Sequence, residues 1–474
     1  GDLMIPILSG NVASAIGGGY EVANSCRFND DDSACLNRSN GSSPSSQRIF
    51  TFSAWVKRGN LGSNNQTFMS IQDTGDGDPR VRCAFRDDDK LYFEVSASDG
   101  SGAFDVRTTA VFRDVSAWYH FVFRIDTTQS TAADRVKMYV NGSQITSFST
   151  ATYGSQNYDL PTNLNEINIG TVDNNSRTNF FDGYLAEVVY CDGQSLAPSS
   201  FGEYDEDSPT IWKPKDVSGL TFGTNGFYLD FEDSANLGND KNGGTDFTAN
   251  NLAATDQSTD TCTNNFATLN PLVVQTGTAN EPVFREGNLQ IHGSSTGSIK
   301  FYSPSSIGVS SGKWYAEFLS TISSNVFGMV GVDSNPSELA RNDQYPGYYA
   351  NSYGYYKDGN KYTGNSASSY GNSWTNNTIG VALDLDNNKL YFSKDGTWQN
   401  SGDPESGSTG TGAISITEPS STISGFYFFV LGDTSASYIN PFDCNFGNPI
   451  HTISSGNSDA NGYGNFEYAV PSGY

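Results

Sequence analysis

A chain of 474 residues is too long for one β-sandwich and suits two, with length left over for connecting segments. Its 52 acidic against 26 basic residues give a formal charge of −26, which repels phosphate backbones and anionic headgroups and argues against nucleic acid or membrane surfaces as partners. No run reaches the ~18–20 apolar residues of a membrane span, while 30 Phe and 26 Tyr can fill two cores although only 36% of the residues are hydrophobic.

Helix signals are nearly absent. Short runs of Val, Ile, Phe, Tyr and Thr recur between clusters of Gly, Asn, Asp and Ser, which predicts an all-β protein. Residues 1–19 are rich in Gly and Ala and read as an N-terminal arm. Their apolar run "GDLMIPILSG" has no basic region before it, unlike a secretory signal. A start at Gly1 without Met and a stop at "VPSGY" read as a processed or partial piece of something longer.

Residues 20–205 form the first strand-rich unit. In "RIFTFSAWVKRG", Phe50, Phe52, Ala54 and Val56 share one face, and Thr51, Ser53, Trp55 and Lys57 share the other. "AWYHFVFRID" alternates in the same way, with Tyr119, Phe121, Phe123 and Ile125 on one side. "RVKMYVNGSQITSF" predicts a hairpin turning at Asn141-Gly142, a pair that accepts the positive φ of a tight turn. Residues 206–280 carry fewer strand signals and read as an ordered connector, because Trp212, Phe227, Tyr228 and Phe231 need a place to bury. Residues 281–474 form the second unit, with Asp395-Gly396 as another hairpin turn. "FVFRIDTTQSTAADRVKMYVNGSQI" and "IGVALDLDNNKLYFSKDGTWQ" share one grammar: strand, polar turn, K-x-Y strand, tight turn, return strand. Two copies of one device imply two copies of one fold class.

From Phe50 to Leu196, "FTFSAWVKRG…AWYHFVFRID…KMYVNGSQI…FDGYLAEVVYCDGQSL" resembles the laminin-G-like branch of the concanavalin A-like lectin/glucanase sandwiches. It departs where Tyr119 separates Trp118 from His120 and where Leu185-Ala186 replaces the usual Ile-Asp. From Gly312 to Trp398, "GKWYAEF", "SYGYYKDGNKYTGN" and "IGVALDLDNNKLYFSKDGTW" resemble a SPRY domain. The resemblances imply two concanavalin A-like jelly-roll sandwiches, laminin-G-like and then SPRY-like, joined by the connector. With "FGEYDEDSPTIWKP" and "TNNFATLNPL" between them, the chain is similar to virion proteins of marine tailed phages, in fibre, tail or capsid-surface positions.

The glucanase side of that class makes paired carboxylates the first chemistry to look for. The nearest set, Glu203, Asp205 and Asp207, lies in an acidic exit beside Pro209 and reads as a solvated loop. No G-x-S-x-G elbow is present, and His120, His292 and His451 lie far apart. Six cysteines without a C-x-x-C pair give no zinc or redox motif. His120, alternating with Trp118 and Val122, reads as a hydrogen-bonded structural histidine. No catalytic residue, metal ligand or required cofactor is assigned. Calcium is the one ion the sequence suits, through Asp230, Asp233, Asp240, Asn242 and Asp246 on a glycine-bent loop; an acidic turn without metal is the competing reading.

Residues 341–374 combine eight tyrosines and a tryptophan with Gly, Ser and Asn. Tyr gives rigid amphipathic contact area at low entropy cost, as in antibody loops, and the SPRY resemblance places part of this segment on the recognition surface. Tyr345, Tyr348, Tyr349, Tyr370 and Trp374 are the expected binding residues, with Tyr353, Tyr355 and Tyr356 on a packed strand. The resulting expectation is a non-enzymatic protein of a virion surface or the extracellular space. Its partners are other virion proteins, copies of itself or a host surface glycan. A secreted bacterial carbohydrate-binding adhesin is the alternative, and a glycoside hydrolase the third choice. Far-ultraviolet circular dichroism should show a strand spectrum with helix well below the roughly one-third typical of soluble domains; a strong helical signal would contradict this reading.

Overall fold

Strand-forming alternation is realised throughout the structure, a computed structural model that describes residues 19–62, 64–72, 80–96, 102–164, 166–173, 176–273, 282–293, 302–320, 328–341, 344–433 and 441–474. The proposed arm, residues 1–19, lies outside the described residues except for Gly19. Among the described residues the only α-helix is Pro336–Arg341. The chain divides into two units, Gly1–Asn265 and Phe266–Tyr474, each an antiparallel sandwich of the jelly-roll kind.

In the first unit one sheet runs Ser143–Gln144, Val136–Val140, Trp118–Asp126, Ile49–Arg58, Gly183–Asp192, Ser25–Phe28 and Gln257–Ser258, and Phe227–Leu229 also pairs with Gly183–Asp192. The second sheet runs Phe148–Thr152, Gly102–Val111, Lys90–Ser96, Arg80–Phe85, Gln66–Gln72, Glu166–Ile169, Cys35–Ser39 and Thr248–Asn250. Phe50, Phe52, Phe121 and Phe123 enter one core with Phe68, Phe85 and Phe93. Edge-to-face pairs such as Phe85–Phe121 (centroids 5.6 Å apart, 83°) fix the packing between the sheets.

Most of the segment read as an ordered connector over 206–280 packs with the first unit, and residues 274–280 lie outside the described residues. Residues 206–265 belong to the first unit and supply strands to both of its sheets: Phe227–Leu229, Thr248–Asn250 and Gln257–Ser258. Phe227, Leu229, Phe231, Leu237 and Phe247 join its main core. Residues 266–273 belong to the second unit, where Leu269 bridges Ser305. The physical cause lies in Ile49–Arg58. Its core-facing side chains are buried as expected, but Thr51, Ser53, Trp55 and Lys57 on the opposite face are buried too. With Trp118, Val122, Tyr184, Val189 and Cys191 from the neighbouring strands also buried on that outer face, a covering layer is needed, and residues from about 200 to 265 provide it. Phe201, Val217, Phe222 and Tyr228 cover Val122, Val189 and Cys191, while Trp212 packs beside Trp55 and Trp118.

In the second unit one sheet runs Pro282–Arg285, Gln290–Gly293, Phe442–Asn445, Lys313–Ser320, Thr378–Asp384, Lys389–Lys394 and Thr397–Trp398, with Ile414–Ser415 on Lys389–Lys394. The other runs Tyr302–Pro304, Phe428–Asp433, Gly328–Asp333, Ser352–Tyr356, Asn360–Thr363 and Ser366–Ser369. The sequence echo becomes a shared three-strand edge. Trp118–Asp126, Val136–Val140 and Ser143–Gln144 match Thr378–Asp384, Lys389–Lys394 and Thr397–Trp398 in order and pairing. Both tight turns have the positive φ expected: Asn141 47°, Gly142 77°, Asp395 46° and Gly396 75°.

Because Phe227 is a core residue of the first sandwich, Phe227→Ala should lower its stability by about 3–5 kcal/mol in urea denaturation. Cleavage by protease between 215 and 265 should be slow until the unit unfolds. Rapid nicking there in the folded protein would show the layer to be loose.

Candidate functional site

The tyrosine-rich segment divides by burial. Tyr370 and Trp374, both expected at the surface, are core residues exposed by only 5% and 1%. Trp374 packs on Tyr355 and Phe442, and Tyr370 on Tyr355 and Phe392. The backbone leaving Ser366–Ser369 turns inward there, with Tyr370 and Gly371 N–H both donating to the Gly359 carbonyl, so the two rings enter the sandwich. Tyr353 and Tyr355 are buried, as their strand pattern predicts, and Tyr356 is half-buried.

Tyr345, Tyr348 and Tyr349 remain together and half-exposed. Their rings form an edge-to-face series, Tyr345–Tyr348 at 5.4 Å and Tyr348–Tyr349 at 4.9 Å. Two residues outside the expected set extend it: Tyr362 meets Tyr345 at 6.0 Å and Tyr356 at 5.8 Å. Tyr362 sits on the hairpin Asn360–Thr363/Ser366–Ser369, which folds back so that Gly364 and Asn365 N–H donate to the carbonyls of Tyr349 and Gly347. A Cβ at Gly347, whose φ is 87°, would lie 2.6 Å from Tyr362, so glycine is needed for this closure. Tyr345 Oη donates to Asn365 Oδ1 (2.7 Å). Burial raises the pKa of Tyr345 and Tyr362, keeping both phenols neutral donors. The result is an aromatic ledge beside a strand, Ser366–Ser369, whose four residues are all exposed. Tyr362 was legible only as one more tyrosine; its place depends on the hairpin folding back.

The acidic motifs are tied up in local ion pairs and hydrogen bonds. Glu203 lies on the short strand Gly202–Tyr204 and Asp205 just after it, where Asp205 accepts the N–H groups of Asp207 and Ser208 and both carboxylates face Lys213. In the loop weighed for calcium, Asp230 pairs with Lys241 (2.7 Å) and Asp240 with Arg38 (3.2 Å). Asp246 there accepts Asn236 Nδ2 and the Asp240 N–H, and Asp233 accepts the Ala235 N–H. These carboxylates close the turn on itself.

Two buried titratable groups organise the covered face of the first unit. His120 stacks on Trp55 (4.8 Å) and beside Trp212 (6.0 Å). Trp212 Nε1–H donates to His120 Nδ1 (2.9 Å), so Nε2 carries the ring proton and donates to Ser53 Oγ (2.8 Å). Burial lowers its pKa to about 3. Glu187 sits on an irregularity in the pairing of Gly183–Asp192 with Ile49–Arg58, at a φ of 49°. Tyr228 Oη donates to its carboxylate (2.8 Å), and Tyr20 Oη reaches it at 3.2 Å. Burial raises the Glu187 pKa to about 7 despite these hydrogen bonds, and Asp230 and Glu232 add to the rise.

Residues 28–194 match the profile of the concanavalin A-like lectin/glucanases superfamily. Solved structures similar to the chain include the SPRY domain of human HERC1, with 18% identity and a TM-score of 0.28 over 37% of this chain and 96% of that one. A heptameric SAP-like pentraxin from Limulus polyphemus shares 13% identity with a TM-score of 0.29, over 38% of this chain and 80% of that one. No curated protein matches the chain.

His120 and Glu187 act on stability with opposite signs. Native His120 stays neutral while the unfolded imidazole protonates below its ordinary value of 6.5, so its contribution is lost as pH falls from 6.5 towards 3. Native Glu187 binds a proton more tightly than the unfolded side chain, which titrates at the ordinary 4.5, so its contribution is lost as pH rises from 4.5 to about 7. Glu187→Gln should therefore gain stability relative to wild type across that window, by up to ~1.4 kcal/mol per pH unit, and level off above it. Urea midpoints measured against pH would show this; a constant difference between the two proteins would refute it.

Proposed function

We propose that this chain is a non-enzymatic protein of a tailed-phage virion surface, in a fibre, tail or capsid-decoration position, and that it recognises a host surface glycan. The observation that carries the reading is the ledge of Tyr345, Tyr348, Tyr349 and Tyr362. Such rings offer flat apolar area to the C–H face of a sugar while their neutral hydroxyls reach its polar edge. Exposed Thr363, Asn365 and Ser366–Ser369 add hydroxyl and amide groups at the rim. A formal charge of −26 selects against sialylated or sulfated sugars and favours neutral ones. The match of residues 28–194 to the concanavalin A-like lectin/glucanases superfamily is compatible with sugar recognition. The non-enzymatic reading is supported by Glu203 and Asp205, which both face Lys213 at the exposed end of the short hairpin Gly202–Tyr204/Trp212–Pro214.

Tyr345→Ala combined with Tyr362→Ala removes the outer rings and leaves Tyr348 and Tyr349 against Tyr302 and Val430. The double variant should retain nearly the wild-type melting temperature and bind neutral glycans on an array at least tenfold more weakly. Unchanged glycan binding with lost incorporation into particles would make the ledge an assembly surface. Unchanged behaviour in both assays would remove the site. Release of reducing sugar from laminarin or agar that disappears in Glu203→Gln would overturn the non-enzymatic reading.

A further inference from the structure

The outermost strands of a sheet carry backbone groups without a ladder partner, and such an edge pairs with another chain unless something prevents it. Among the described residues, seven of the eight edges of the four large sheets are guarded. Ser143–Gln144, Gln257–Ser258 and Thr397–Trp398 are only two residues long. Thr248–Asn250 has three, and Phe148–Thr152 carries an irregularity in its pairing. Pro282–Arg285 and Tyr302–Pro304 each contain a proline, which has no N–H to offer. The eighth edge, Ser366–Ser369, has none of these devices. Its four residues are exposed, uncharged and in unbroken register with Asn360–Thr363.

The turn of this hairpin fixes which backbone groups face outwards. Gly364 and Asn365 both have positive φ, 55° and 59°, as the two residues of a type I′ turn must. Thr363 and Ser366, which flank it, exchange both hydrogen bonds, and the alternation of an antiparallel ladder gives the same to Lys361 and Ser368. Ala367 and Ser369 therefore turn their N–H and C=O groups away from the hairpin. These four groups point off the open edge, where no other strand among the described residues pairs with them. The acidic charge of the chain is also missing here. Residues 344–374 hold one of the 52 carboxylates, Asp358, against Lys357 and Lys361.

We propose that Ser366–Ser369 pairs antiparallel with the same strand of a second copy of this chain, about a two-fold axis at Ser368. The edge is complementary to itself in that register. On each side of the axis, Ala367 of one copy and Ser369 of the other exchange two hydrogen bonds, which uses all four outward groups of each strand. Ser368 faces its own counterpart. Every side chain brought opposite another is Ser or Ala, so neither bulk nor charge opposes the approach. Pairing ends at Tyr370, where the chain turns into the core. The axis stands normal to the sheet, so Tyr362, which pairs with Ala367, points to the same side in both copies. The two strands that carry it lie ~14 Å apart at the usual spacing of neighbouring strands. The dimer does not depend on what the tyrosine ledge binds; avidity for a repeated neutral glycan would follow from it only under the reading given above.

The test is sedimentation velocity of the full chain over a range of concentrations, in about 0.15 M salt to screen its net charge. A reversible dimer is expected. Ser368→Glu places a carboxylate opposite Lys361 within the hairpin but sets it against its own copy at the axis. It should weaken dimerisation at least tenfold and leave the circular dichroism spectrum unchanged. Ser368→Cys reads the register, because the Cα atoms of a non-hydrogen-bonded pair lie about 4.5 Å apart, within reach of a disulfide. Mild oxidation should link two such chains through this position. Asn365→Cys at the turn, and the wild type with five buried cysteines and one half-buried, should stay unlinked. Three results overturn the proposal: a monomer at every concentration, a dimer indifferent to Ser368→Glu, or linking of Ser368→Cys no faster than that of Asn365→Cys. Glycan binding enters none of these readouts, so failure of the ledge as a sugar site and failure of the dimer are told apart.

Discussion

The buried ion pair between Lys57 and Asp260 is the contact on which the architecture of the first unit rests. Lys57 Nζ lies 2.6 Å from Asp260 Oδ2, and both side chains are fully shielded from solvent. Burial pulls the lysine pKa down, and Asp260 opposes it. Such a pair gains little over an apolar substitute, but removing one partner strands a charge and costs about 3–5 kcal/mol. Asp260 also accepts Trp118 Nε1–H (2.9 Å), its carbonyl accepts Ser25 Oγ–H (2.6 Å), and Lys57 donates to Asn265 Oδ1 (2.8 Å). One residue of the covering layer thereby joins three strands of the sheet beneath it.

The second unit solves a related problem with a different group. Its C-terminal segment covers the outer face of the sheet containing Lys313–Ser320, where Phe466 and Tyr474 pack on Tyr315, Ala382 and Tyr391. Buried Glu317 fastens it by accepting the N–H groups of Glu467 and Tyr468 (both 2.9 Å) and the Tyr315 hydroxyl (3.1 Å). In each unit a long strand carries a charged residue on the face that a simple sandwich would leave wet. A returning segment of chain then supplies its partners. With those faces closed, the tyrosine ledge lies on a hairpin and the loop before it, outside both covered sheets.

Much of this was legible in the chain. Period-two alternation in Ile49–Arg58 and Trp118–Asp126 identified the core-facing residues, because successive side chains of a strand must point to opposite faces. Asn141-Gly142 and Asp395-Gly396 marked their turns because those residues tolerate positive φ. The aromatics of 206–265 announced that this stretch was ordered. Their destination was hidden, since Phe227 pairs with Tyr190 and Phe247 directly precedes Thr248–Asn250, which pairs with Cys35–Asn37 far away in sequence. The tyrosines show the same limit. Composition could not separate Tyr345, Tyr348 and Tyr349 from Tyr370 and Trp374, because all five stand among Gly, Ser and Asn. The inward turn after Ser369 decided between them.

The sequence by itself determined what depends on near neighbours: strand character, hairpin turns, the doubled fold and an acidic net charge. Only the tertiary structure decided what depends on partners brought from a distance. It buried Lys57 and His120 by laying residues 212–265 over them, and it moved Tyr362 onto the ledge. It also pressed Asp30 against Asp182, although 152 positions separate them in the chain (182 − 30). A pleated strand encodes which of its faces a side chain occupies; whether that face meets water, a second sheet or a returning loop is fixed by chain closure, which no local pattern records.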